Sequence, residues 1–162
     1  MATTLGSKFL ESKGVAVTLH PYDYEPDAEA VGLAAALALG LDPSLTLKTL
    51  MVEVEVEVEV DGKPACCVIP SDRQLSMKKV AAAFGGKAAA MMPPLKAEKL
   101  TGYRVGGISP FGSKRVVPVA IEASVCGAAK VWINAGQRGL LLGIAPGQAL
   151  AVLGAQAVAL VA

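Results

Sequence analysis

The stretch Lys48–Lys63, KTLMVEVEVEVEVDGK, decides how the chain is read. From Val52 to Val60, valine and glutamate alternate without a break. Strict alternation is the period of a β-strand, in which successive side chains point to opposite faces. The even positions then form an apolar valine face, and Glu53, Glu55, Glu57 and Glu59 form the other. Asp61-Gly62 is a dipeptide favoured in two-residue hairpin turns, and Ala65–Ile69 (ACCVI) suits a return strand. With such a turn Val60 opposes Lys63, Val58 opposes Ala65, Val56 opposes Cys67 and Val54 opposes Ile69. On the other face Glu57 meets Cys66 and Glu55 meets Val68. The spacing thus predicts a strand over about 46–60 in a central hairpin. Glutamates repeating about 7 Å apart along one face are too far apart to share one small ion. They read as a solvated face that discourages edge-to-edge pairing.

The same parity reaches upstream to Lys48, which shares the valine face with Leu50 and Val52. An unpaired ammonium is costly to bury. Lys48 therefore meets a carboxylate, binds an anion or lines a pocket; the simpler alternative is a strand-entry lysine that snorkels to solvent.

Working outward, residues 3–13 read as a helix stopped by Gly14, VAVTLH (15–20) as a strand and PYDYEP (21–26) as a turn. Asp27 is the expected N-cap of a helix ending before Gly40. Helices are expected over 75–86, 93–102 and 146–155, with strands over 87–92, 116–123, 130–134, 140–145 and 156–162. YRVGGISPFGSKR (103–115) and NAGQRGL (134–140) read as small-residue loops. No linker interrupts the pattern, so residues 1–162 are expected to form one domain. Helices interleave with strands around a hairpin, which implies a mixed α/β (α+β) class. The expected architecture is a curved, barrel-like mixed sheet surrounded by short helices.

Composition narrows the functions. The 162-residue chain carries a formal net charge of +1. It lacks the basic field that drives autonomous nucleic-acid binding, so no DNA partner is expected. Apolar runs are broken by Gly, Pro and Gln, which argues against a membrane span. No secretory signal is apparent, and three cysteines without CxxC or zinc spacing suit reduced core thiols and a cytoplasmic location. The single histidine, His20, rules out a two-histidine metal motif, and no G-x-S-x-G elbow is present. No metal or cofactor is expected. Gly106 and Gly107 would let backbone approach a ligand, and amides of that loop could hold a carbonyl oxygen; an ordinary turn-rich connection is the simpler reading. Arg138 could bind phosphate, as could Lys114 and Arg115.

As a set, these residues resemble the YbaK/EbsC family of trans-acting aminoacyl-tRNA editing domains. The resemblance is carried by LHPYDYEP, LGLDPSLTLKTLMV, LSMKKVAAAFGGKAAAMMPP, TGYRVGGISPFGSKR and VWINAGQRGLLLGIAPGQALAVLGA, in that order. It is closest to the branch that deacylates Cys-tRNA(Pro). The resemblance implies that Lys48 is the catalytic lysine engaging the substrate's 3′ end. It makes Tyr22 a pocket residue and Gly106, Gly107, Ile108, Ser109 and Pro110 the lining of the aminoacyl pocket. Asn134, Gly136, Arg138 and Gly139 belong to a second substrate-binding loop. The substrate's own cysteine thiol would attack its ester, so no protein nucleophile is required. Aminoacyl-tRNA is the implied partner, with prolyl-tRNA synthetase as a helper. The alternatives are deacylation of another mischarged tRNA, such as Ala-tRNA(Pro), or a non-catalytic module that binds tRNA ends or nucleotides. The chain departs from the family at Asn134, Ala135 and Gln137, at Leu141 where an acidic residue is common, and in a lengthened Val-Glu tract.

Overall fold

The computed structural model describes residues 3–25, 31–57 and 61–162. The chain order is α1 (Leu5–Ser12), β1 (Thr18–Pro21), α2 (Val31–Leu39), β2 (Leu47–Glu55), β3 (Lys63–Pro70), α3 (Met77–Ala83), β4 (Ala88–Met91), α4 (Pro94–Thr101), β5 (Val119–Glu122), β6 (Val131–Gln137), β7 (Leu140–Ile144), α5 (Pro146–Leu153) and β8 (Gln156–Val158). The helices begin where the sequence offers caps. Thr4 and Ser7 form a reciprocal capping box at α1, Ser76 caps α3, and prolines open α4 and α5. The expected cap at Asp27 lies outside the described residues.

β2 and β3 pair antiparallel, but not in the register that a two-residue turn dictates. Val54, not Val60, stands opposite Lys63; Val52 opposes Ala65, Leu50 opposes Cys67 and Lys48 opposes Ile69. β2 ends at Glu55, so the expected strand to residue 60 is too long; Val58, Glu59 and Val60 lie outside the described residues. The reason lies on the face that the valine count ignored. Cys66 and Val68 are 2% and 0% exposed, in the larger core. The tight-turn register would set Glu57 and Glu55 against them, burying carboxylates. The observed register sets Met51 and Thr49 there instead. The shift is six residues, an even number, so every side chain keeps its predicted face. β4 fixes the other edge of β2 across Val52–Glu55, and the Lys87 amide donates to the Glu55 carbonyl at 2.7 Å.

The strands form two sheets rather than a barrel. One has the order β4-β2-β3-β5-β8, with β3-β5 and β5-β8 parallel; the other is β1-β7-β6, antiparallel throughout. The expectation of a barrel-like sheet is therefore corrected. Among the described residues, only a lone bridge between Thr46 and Trp132 joins the two sheets edge to edge, which cannot close a ladder. Both faces of β2 and β3 are covered. Leu47, Met51, Cys66 and Val68 meet Val131, Ile133, Leu140 and Leu142 of the smaller sheet in one core. Val52, Val54, Ala65, Cys67 and Ile69 meet Val80 of α3 and Leu160 in the second. Adjacent cysteines thus enter different cores, and burial pushes both thiols up, Cys67 to about 12. Glu53 departs from the solvated reading by pairing with Lys96 at 2.6 Å, while Glu57 is exposed.

One buried acid was not foreseen. Glu122 is 4% exposed at the end of β5. Its Oε1 accepts the amides of Leu160 (2.8 Å) and Val161 (3.2 Å), and its Oε2 accepts that of Ser124 (2.9 Å). Burial opposes the charge, but these hydrogen bonds outweigh it and hold the carboxyl at about 2, below its ordinary 4.5. The depressed value contributes stability that is complete above the unfolded value and fades as pH falls towards about 2. Glu122→Gln should destabilise the fold by about 2–3 kcal/mol at neutral pH. In urea titrations at pH 7 and pH 3 the deficit should shrink at the lower pH. A deficit equal at both would show that the charge is not the source.

Candidate active site

The start of β2 is held by its surroundings before any ligand is considered. Thr46 donates its hydroxyl to the Asp42 carbonyl at 2.9 Å, and the Thr46 carbonyl accepts the Ser71 amide at 2.8 Å. Ser71 Oγ donates to the Pro43 carbonyl at 2.9 Å. Lys48, the second residue of β2, therefore leaves a fixed backbone. Its side chain is half-buried and lines a cavity of about 470 Å³. Burial lowers its pKa, and the negative charge of Asp72 partly restores it. Among the described residues no carboxylate lies within 4 Å of the ammonium. Lys48 thus lines a pocket, one of the possibilities raised by its parity.

The cavity gathers residues from distant parts of the chain. Tyr22 follows β1, Val31 and Ala35 come from α2, Pro94 and Ala97 from α4, Asn134 from β6 and Leu141 from β7. Val105, Gly106 and Ile108 come from the glycine-rich loop. Lys48, Tyr22, Gly106, Ile108 and Asn134 thus share one cavity, as the sequence reading groups them. The other residues of the predicted set lie elsewhere. Gly107, Gly136 and Arg138 line a neighbouring depression, whereas Ser109 and Pro110 line a separate cavity on the far side of the loop. Gly139 contributes its carbonyl, which accepts the Tyr22 amide at 2.9 Å and anchors that tyrosine. Burial raises the pKa of the Tyr22 phenol.

The glycines have a packing role that their sequence only hints at. Gly106 has φ 89°, and a Cβ there would lie 2.6 Å from the Tyr24 hydroxyl. Gly136 has φ 105°, and its Cβ would lie 2.6 Å from the ring of Tyr103. Tyr103 in turn donates its hydroxyl to the Phe111 carbonyl, tying the two ends of the loop together. Arg138 Nε donates to the Val105 carbonyl at 2.9 Å, and its guanidinium lies 5.4 Å from the Tyr24 ring centre. Asn134 Nδ2 reaches the Gly106 carbonyl at 3.3 Å, while its Oδ1 accepts the Gly136 and Gln137 amides. Arg138 and Asn134 therefore act first as braces of the loop. The Gly107 amide is spent on the Arg104 carbonyl at 2.8 Å, so it is not available to an oxyanion. NAGQ is not loop: Asn134–Gln137 belong to β6, with a bulge opposite Leu140–Leu141.

His20 does not line the Lys48 cavity. Its Nε2 lies 2.7 Å from Thr18 Oγ1, its ring meets Trp132 edge-on at 6.4 Å, and burial with nearby Lys130 lowers its pKa. Among the described residues no cluster of three or more His, Cys, Asp or Glu side chains could hold a metal. No helix among them is long and apolar enough to cross a membrane. Asp72 was missed by the sequence reading. Antiparallel pairing could have found it: Lys48 opposes Ile69, so the residues just beyond β3 return to the lysine.

Comparison with known proteins identifies the family. The profile of the aminoacyl-tRNA editing domain matches residues 25–151, and the chain belongs to that family. A relative from Enterococcus faecalis, which carries the provisional name Cys-tRNA(Pro)/Cys-tRNA(Cys) deacylase EbsC, is 33% identical over 93 residues. That similarity spans 57% of this chain and 57% of the relative. Two solved structures share the fold. One is provisionally described as a trans-editing enzyme for prolyl tRNA synthetase (TM-score 0.79, 23% identity, 100% of this chain and 99% of that one). The other is described only as a hypothetical protein (TM-score 0.81, 21% identity, 98% and 100%).

Two substitutions separate what the site needs from what the fold needs. Lys48→Met removes a half-buried charge that lacks a close partner, so its melting temperature should equal or exceed that of the wild type. A marked loss would mean that Lys48 stabilises the fold. Gly106→Ala should lose about 1–3 kcal/mol, from the left-handed backbone and the Tyr24 contact. An unchanged urea midpoint would show that the loop relaxes freely.

Proposed function

We propose that the protein is an aminoacyl-tRNA deacylase acting in trans on mischarged tRNA, with Cys-tRNA(Pro) as its principal substrate. The observation that carries this reading is the half-buried Lys48, with no carboxylate within 4 Å among the described residues, in a cavity walled by the glycine-rich loop. A cation in that setting suits an anionic or strongly polar group of the ligand. The terminal adenosine or its phosphate would engage Lys48. The aminoacyl group would lie against Ile108, Leu141 and the backbone of Gly106.

The chemistry then needs little from the protein beyond placement. The cysteine thiol of the substrate attacks its own ester carbonyl, a carbon–sulfur bond forms, and the carbon–oxygen bond to the ribose breaks. The thiol proton ends on the released ribose hydroxyl, and the cysteine leaves as its cyclic thioester, which water then opens to free cysteine. An apolar wall at Leu141, in place of an acidic residue, favours a small side chain without charge. It does not by itself separate cysteine from alanine; the thiol does, by supplying the nucleophile. Phosphate contacts dominate tRNA affinity, and a chain of net charge +1 brings few cations to them. Prolyl-tRNA synthetase would therefore supply part of the tRNA binding, and the isolated chain should bind tRNA weakly.

Purified protein should release cysteine from Cys-tRNA(Pro) well above the spontaneous rate and act much more slowly on Ala-tRNA(Pro). Lys48→Ala should lower the rate by roughly 100-fold or more, since it removes a charge-assisted contact at the reacting end. Failure on both substrates would favour a non-catalytic tRNA-binding module. Because burial lowers the Lys48 pKa, the rate above background should decline at a pH below that of an ordinary lysine. Asp72 pushes in the opposite sense, so Asp72→Asn should move this alkaline limb lower still. A limb that does not move would remove Asp72 from the electrostatics of the site.

A further inference from the structure

Behind the glycine-rich loop lies a second cavity, of about 380 Å³, which the proposed reaction does not use. Its floor reaches the larger core: Met51, Cys66 and Val119 are 4%, 2% and 7% exposed. Phe9 of α1 and Leu153 of α5 form its sides, and the mouth opens beside Val116, which is 92% exposed. Its three hydroxyls are already committed within the protein. Thr101 donates to the Ala97 carbonyl, Ser113 donates to the Arg115 carbonyl, and Ser109 accepts the Phe111 amide. The lining holds a single charged side chain, Lys13, and no acid. The Lys13 ammonium sits 5.8 Å from the Phe9 ring centre and has no carboxylate within 4 Å among the described residues.

A largely apolar chamber with one cation at its rim has a defined complement. We propose that this cavity binds a small amphiphilic monoanion, a straight-chain carboxylate whose hydrocarbon tail occupies the floor and whose head group pairs with Lys13. An uncharged ligand would gain no attraction from the exposed ammonium, and a cationic one would be repelled by it. A polar tail would give up its water for a lining with few hydrogen-bonding groups. The site is independent of the deacylation reading. Its floor nevertheless shares Met51 with the Lys48 cavity, so that methionine reports on occupancy from both sides.

The test uses decanoate, decanol and decyltrimethylammonium below their aggregation limits, with calorimetry and the ¹³C-methyl NMR signal of Met51. Decanoate should bind with one-to-one saturation, shift the Met51 signal, and exceed decyltrimethylammonium in affinity by at least tenfold. Octanoate should bind more weakly than decanoate, by about fourfold per methylene removed. Lys13→Glu, an exposed change outside the Lys48 site, should weaken decanoate by tenfold or more. Val117→Trp should fill the chamber and abolish binding; Leu153→Phe is the milder filling variant if the tryptophan impairs folding. Equal affinity for the three head groups, binding undiminished in a folded filling variant, or no saturable decanoate binding would each overturn the proposal.

Discussion

Burial of the β2–β3 ladder on both faces is the constraint from which the rest of the structure follows. A hairpin with one wet face tolerates several registers, because only one set of side chains objects to a slip. Here the even face meets α3 and Leu160, while the odd face meets the smaller sheet. Cys66, Cys67, Val68 and Ile69 are all essentially inaccessible, so any register must satisfy two cores at once. That condition keeps Glu55 and Glu57 away from Cys66 and Val68, places Met51 in the larger core, and presents Lys48 at an end of β2 where a cavity opens beside the sheet.

The candidate site inherits its order from that ladder. Lys48 lies opposite Ile69, so the segment after β3 brings Asp72 into its electrostatic range, with no carboxylate within 4 Å of the ammonium among the described residues. The opposing wall is held by backbone-directed bonds: Arg138 to Val105, Asn134 to Gly106, Tyr103 to Phe111 and Gly139 to Tyr22. The rigid wall and the unsatisfied cation divide the work. In the proposed reaction the wall would need little reorganisation when a ligand enters, and the cation would keep its strongest interaction for that ligand.

Much of this was legible in the residues. Helices stopped by Gly14 and Gly40, the strand read from ACCVI, the Thr18–His20 half of VAVTLH, and the face of Lys48 all follow from local chemistry and periodicity. What escaped was non-local. The register depends on two cores, and the valines described only one. The barrel-like expectation extrapolated a mixed sheet into closure, although the bridge between Thr46 and Trp132 is a single contact. NAGQ has small and polar residues with little strand preference, and it is held in β6 by pairing with Leu140 and Leu141. The loop GGISP looks like one functional unit, yet its chain passes between two cavities, so Ser109 and Pro110 face away from Gly106 and Ile108. Glu122 and Asp72 carried no motif at all; their significance comes from which backbone or cation the fold delivers to them.

The Val-Glu tract also has a genetic consequence. Its repeating unit is two residues, encoded by two codons, and such repeats gain and lose whole units when DNA strands slip during copying. Because the ladder is anchored at the Leu47–Pro70 end and reaches only to Val54 opposite Lys63, an added or lost unit falls between Glu55 and Lys63. It leaves the parity of every paired side chain, and therefore the aim of Lys48, as it was. A copying error of two residues there leaves the paired segments Leu47–Val54 and Lys63–Pro70 facing as they did.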